Sequence, residues 1–129
     1  MVKQITHSII LALGSNTAQE YHLREAEIRL RKLIGKSIRF SKPLWTTPLG
    51  IKSDLFLNEL VIADTILPLA TLRSELQRIE HELDTTTEQK RQGIVGIDID
   101  LLCYDGERWH HSDWRRPYIQ QLLNTMLSE

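Results

Sequence analysis

The sequence predicts an α+β domain: an antiparallel sheet with helices on one face. Three observations predict it. Runs with strand character and runs with helical spacing alternate along 129 residues. The strands show either one-faced alternation or short continuous apolar stretches. Two segments carry apolar residues at intervals of three and four, one stopped by Gly35 and the other opened by Pro68. In order these give β-α-β-β-α-β, the ferredoxin-like split βαβ plan. A hairpin and a short C-terminal helix are appended.

The first strand is read from Ile5 to Leu13, where Ile9-Ile10-Leu11-Ala12-Leu13 suits a central position. Gly14-Ser15-Asn16 is read as a turn that ends it. Glu20 to Ile34 is a helix through Leu23, Ala26, Leu30, Leu33 and Ile34, stopped by Gly35. Ser37 to Trp45 is a second, more polar strand, followed by the loop Thr46-Thr47-Pro48-Leu49-Gly50. A third strand spans about Leu55 to Ile66. Pro68 opens a helix to about Leu83, with Leu69, Leu72, Leu76, Ile79 and Leu83 as its apolar stripe. Residues 84–93 have no apolar periodicity and read as a polar loop, either a lid or a connector. Asp105-Gly106 signals a hairpin returning through Glu107 to Trp109, and Pro117 to Leu127 a terminal helix. The sheet face away from the two main helices is expected to be covered by loops or left open.

Composition bounds the function. The length suits one domain, residues 1–129, with a single core. A net charge of −1 gives no basic surface for nucleic acid or an anionic membrane. The lone Cys103 cannot form an internal disulfide and reads as a small buried hydrophobe. No apolar run approaches a membrane span, and Ile9 to Leu13 is too short for a signal-peptide core. A cytoplasmic protein, monomeric or weakly oligomeric, is expected. His7, His22 and His81 show no ligand spacing and read as surface residues.

The chemistry concentrates in Asp98-Ile99-Asp100-Leu101-Leu102. Ile97, Ile99 and Leu101 face one way, and Asp98 and Asp100 the other. On a strand the two aspartates lie ~6.6 Å apart at Cα, from a rise of about 3.3 Å per residue. That spacing lets them converge on one divalent ion or hold two, as phosphoryl-transfer sites do. A half-solvated strand is the plainer alternative, although Asp is depleted in strands.

Five motifs then resemble one family: Leu11-Ala12-Leu13-Gly14-Ser15-Asn16, Thr46-Thr47-Pro48-Leu49-Gly50, Phe56-Leu57-Asn58, Gln77-Arg78-Ile79-Glu80 and Asp98-Ile99-Asp100-Leu101-Leu102. Their order and spacing are similar to those of the 6-hydroxymethyl-7,8-dihydropterin pyrophosphokinases, from about residue 5 to residue 123. The resemblance implies pyrophosphate transfer from ATP to a pterin hydroxymethyl group, in folate biosynthesis. It implies two Mg²⁺ ions held by Asp98 and Asp100, and small-molecule partners rather than nucleic acid or membrane.

By the same resemblance Asn58 reads the pterin edge, Phe56 and Tyr118 sandwich its ring, and Thr46 and Leu49 add loop contacts. Gln77 touches the nucleotide. His110 and Arg116 hold phosphates, with His111 an adjacent competitor for the histidine role. Arg91 joins Arg116 as a catalytic, nucleotide-holding cation. Core packing of Phe56 and Tyr118, and a solvated hairpin end for His110 and Arg116, are the alternatives. The chain departs from the family where Gly-Arg-x-Arg and then Arg-Trp-Gly-Pro-Arg are expected. Thr85-Thr86-Thr87 and Arg91-Gln92-Gly93-Ile94-Val95 stand there, keeping only Arg91 and Gly93. Lys90, Arg91, Arg115 and Arg116 are candidate substitutes. An active pyrophosphokinase and a pterin-binding homologue with weak or no ATP chemistry are both open.

Overall fold

Strand β1 (His7–Ser15) occupies the middle of the sheet because its apolar run has no polar face to give to water. Ile9, Leu11 and Leu13 enter one core, while Ile10 and Ala12 pack against a second core on the opposite side. A computed structural model describes residues 5–48, 54–83 and 86–128. After β1 come α1 (Gln19–Ile34), β2 (Arg39–Phe40), β3 (Leu44–Thr46), β4 (Phe56–Thr65) and α2 (Leu69–Glu82). The short helix α3 (Thr87–Arg91) and strand β5 (Asp98–Tyr104) follow. The chain continues through β6 (Glu107–Arg108), α4 (His111–Trp114) and α5 (Pro117–Leu127). The sheet order is β2-β4-β1-β5-β6, with β3 also on β4, and every pairing is antiparallel. The expected α+β, ferredoxin-like arrangement is what the chain adopts.

Helices α1 and α2 bury Leu23, Ala26, Leu30, Leu72, Leu76 and Ile79 on one sheet face. The other face differs from expectation. Loops alone do not cover it: α4 and α5 insert Trp114, Ile119, Leu122 and Met126 against Leu60 and Leu102, and a cavity stays open beside them. The spacing of 119, 122 and 126 makes one apolar stripe that must be buried somewhere, and this is the free face.

Several boundaries shift for local reasons. Gly14 and Ser15 are not a turn; they extend β1 and pair with Asn58 and Leu57. The single strand expected over 37–45 is two. Between them the Ser41 hydroxyl accepts from Leu60 N at 2.8 Å, and Pro43 has no N–H for a ladder. The polar stretch 84–93 contains α3, closed by a capping box in which Thr86 and Gln89 satisfy each other's backbone N–H. Pro68 sits just outside α2 as its N-cap.

The Asp105-Gly106 turn has positive φ at both residues, as a tight hairpin requires. Asp105 is fastened there by His7 Nδ1 at 2.6 Å and Ser8 N at 2.9 Å, and His7 stacks on Tyr104. His7 is therefore a turn anchor and not a free surface residue. A register shift between Ile10 and Leu11 places both Leu102 and buried Cys103 on the α5 side.

Candidate active site

Three neighbouring strands bring their chemistry to one end of the sheet. Gly14 lies opposite Asn58 on one side and Asp98 on the other. Ala12 likewise lies between Leu60 and Asp100. Strand alternation then fixes which side chains rise on the α5 face: Phe56 and Asn58 from β4, Asp98 and Asp100 from β5. A side chain at Gly14 would crowd Asn58 and touch Phe56. A Cβ there would stand 3.2 Å from Asn58 Oδ1 and 3.6 Å from Phe56 Cδ1.

Above these residues opens a cavity of about 580 Å³, closed by the Trp45–Pro48 loop and by Arg116, Pro117 and Tyr118 at the start of α5. Asn58 is 5% exposed. Its Nδ2 donates to Thr46 Oγ1 at 2.7 Å and to the Leu44 carbonyl at 3.2 Å, which fixes the plane of the amide. Tyr118 is partly buried, and burial raises its phenol above the ordinary range against the opposing pull of Arg116. Arg116 pairs with Asp113 at 3.2 Å.

A second cavity of about 400 Å³ adjoins, and Asp98 and Asp100 line both. Gln77 and Glu80 on α2, Lys90 on α3, and Trp109 and His110 form its other walls, with the Arg73 guanidinium 4.9 Å over the Trp109 ring. The wall between the cavities is strongly acidic. Burial first, and then the negative charges of Asp98, Asp113 and Glu80, push the Asp100 carboxyl up to about 8. Glu80 is also raised, chiefly by burial, although Ile99 N donates to its Oε2 at 2.7 Å and Lys90 opposes the shift.

The donor chemistry fits Mg²⁺. Two carboxylates on one strand face repel each other, and a divalent cation relieves that repulsion. Among the described residues no group of three or more His, Cys, Asp or Glu side chains could hold a metal. Asp98 and Asp100 are hard oxygen donors, and Mg²⁺ ordinarily completes its shell with phosphate oxygens and water.

The structure gathers most of the residues singled out above. Thr46, Phe56, Asn58, Arg116 and Tyr118 line the larger cavity; Gln77 and His110 line the smaller. Of the two adjacent histidines, exposed His111 lines neither. Leu49 lies outside the described residues. Arg91 stands apart: its side chain is 75% exposed and pairs with Glu88 at 3.8 Å. Asp113, Arg73, Trp109 and Gly14 were not singled out for the site from sequence. Asp113 and Arg116 carried a legible i,i+3 charge spacing. The placement of Arg73 depends on how α2 meets the hairpin, which no local pattern encodes.

The family model for 7,8-dihydro-6-hydroxymethylpterin-pyrophosphokinase matches residues 10–127. A folate synthesis bifunctional protein of Pisum sativum, described as mitochondrial, is 30% identical over 92% of this chain and 25% of its own length. A folate synthesis bifunctional protein of Arabidopsis thaliana is 27% identical over 92% of this chain and 27% of its own length. The chain thus spans about a quarter of the length of these curated relatives.

Proposed function

Because this chain belongs to the 7,8-dihydro-6-hydroxymethylpterin-pyrophosphokinase family, we propose that it transfers pyrophosphate from ATP to 6-hydroxymethyl-7,8-dihydropterin, a step of folate synthesis. One observation carries the reading: the Asp98–Asp100 pair forms the shared wall of two adjoining cavities. The larger, with aromatic side chains and one oriented amide, suits a flat bicyclic heterocycle. The smaller, with Gln77, Lys90 and His110, suits a nucleotide and its phosphates.

In this reading Phe56 and Tyr118 bracket the pterin ring and Asn58 reads its edge. Thr46 holds the Asn58 amide in plane, and for Leu49 the reading keeps the pterin contact that the resemblance implies. Gln77 and His110 bind the nucleotide, and Arg116 neutralises phosphate charge from the pterin side. Asp98 and Asp100 would hold two Mg²⁺ ions, which supply charge neutralisation at the triphosphate. No protein nucleophile is required: the pterin hydroxyl oxygen bonds to the β-phosphorus and gives its proton to solvent, while the bond from β-phosphorus to the α-phosphate oxygen breaks and AMP leaves. The residues act by holding the two reactants in line across the acidic wall and excluding water that would hydrolyse ATP. The setting proposed is cytoplasmic, with the protein a monomer or weak oligomer.

Calorimetry with Mg²⁺ and a non-hydrolysable ATP analogue, with and without a 6-hydroxymethylpterin analogue, tests the proposal. Micromolar nucleotide binding is expected, lost in Asp98→Ala. A second reading has its own support, because the loop before β5 presents few cations to the site. Arg91 lines neither cavity, and Val95, where the family pattern has an arginine, is buried. A pterin-binding homologue would take the pterin analogue and ignore nucleotide, and that result would displace the enzymatic reading.

A further inference from the structure

Lys90 reaches the acidic wall from the nucleotide side. Its Nζ lies 2.8 Å from Asp98 Oδ1 and 3.7 Å from Glu80 Oε1, so the ammonium stands where a divalent ion would approach that carboxylate. It is not sealed in: its side chain is 38% exposed. The element that carries it is short and is anchored beyond its C-terminal end. Asn16 Nδ2 donates to the Gly93 carbonyl at 2.6 Å, and Val95 N donates to Asn16 Oδ1 at 2.7 Å. Among the described residues, the ion pairs that tie α3 to the rest of the fold are those of Lys90.

An ammonium and a divalent ion cannot share one carboxylate oxygen at these distances without strong repulsion. A triphosphate brings the lysine a new anionic partner at the same place. Resting on the pyrophosphokinase reading, we propose that Lys90 is a place-holding cation. It neutralises Asp98 before metal arrives, and passes to the nucleotide phosphates when metal takes the carboxylate. Lys90 is thus a positioning residue that couples α3 to metal loading, and supplies from α3 a charge that Arg91 does not bring to the site.

The idea requires two effects of opposite sign from one substitution. Lys90→Met removes a competitor for metal and also a partner for phosphate. Measured with Mn²⁺ alone by water-proton relaxation, Lys90→Met should bind metal about three- to fivefold more tightly, the scale of a half-exposed ion pair. Measured by calorimetry with Mg²⁺ and α,β-methylene ATP, it should bind about tenfold more weakly. Lys90→Arg should restore both values toward those of the unaltered chain. Amide exchange over residues 86–92 should slow on adding Mg²⁺ and the analogue to the unaltered chain, and not in Lys90→Met. If Lys90→Met moves the two affinities in the same direction, or moves neither, the proposal is wrong. If the unaltered chain ignores the analogue while Lys90→Met still gains Mn²⁺ affinity, the pyrophosphokinase reading and the transfer to phosphate both fall, and the place-holding half stands.

Discussion

Gly14 shows how one residue can decide a site. It sits between Asn58 and Asp98 in the register, and a methyl group there would meet Asn58 Oδ1 at 3.2 Å. Gly14→Ala should therefore weaken binding of a pterin analogue by about tenfold, a cost of ~1.4 kcal/mol, with a smaller change in stability. Fluorescence titration beside a denaturant melt separates the two, and unchanged affinity would remove Gly14 from the recognition of the ring.

Glu59 is the other decisive single residue. It is 1% exposed beneath α1, where no donor among the described residues reaches its carboxyl oxygens and the Glu27 carboxyl lies alongside. Burial, reinforced by the nearby Glu27 carboxyl and opposed by Arg31, pushes it up to about 9 from an ordinary 4.5. Between those values the folded chain keeps a proton that the unfolded chain has released. Stability should then fall as pH rises through that window, by up to about 1.4 kcal/mol per pH unit. Asp100, also raised, adds to the slope below about 8. Glu59→Gln should flatten the profile, leaving the Asp100 part. Denaturant midpoints from pH 5 to pH 9 measure this, and an unaltered slope would place the retained proton elsewhere.

Among the elements, α3 is the most exposed to local chemistry. Five residues cannot sustain a helix by propagation alone, so its capping box matters more than it would on α1. Thr86→Ala removes the acceptor for Gln89 N and should cost about 1 kcal/mol locally. The expected signature is faster amide exchange over residues 86–92 with a nearly unchanged melting temperature. A large global loss of stability would mean that α3 is integral to the core. The stretch reads as a polar loop in the sequence because it has no apolar stripe, and the Thr86-x-x-Gln89 capping pattern is the signal that reading passes over. A short, solvent-facing helix needs no such stripe. The divided second strand has a comparable cause: Ser41 substitutes a hydroxyl for a ladder position, and side-chain competition of that kind leaves no mark in hydrophobic periodicity.

At the scale of the molecule, the two cores were only half visible. The apolar residues of β1, α1 and α2 announce the first. The second requires α5 to return across β1, β4 and β5, and with that return the start of α5 delivers Arg116 and Tyr118 to the cavity. The feature that appears only at this scale is the meeting of two cavities at one acidic wall of Asp98 and Asp100. The sequence by itself determined the alternation of strands and helices, the outward pair of aspartates and the motifs that fix kinship. Each follows from period, turn chemistry or short-range spacing. Only the tertiary structure decided that His110 rather than His111 lines a cavity, that Lys90 and not Arg91 meets Asp98, and that Asp113 and Trp109 line the two cavities Asp98 shares. Those choices depend on where separate elements are packed against one another, and packing geometry is set by contacts between residues far apart in the chain.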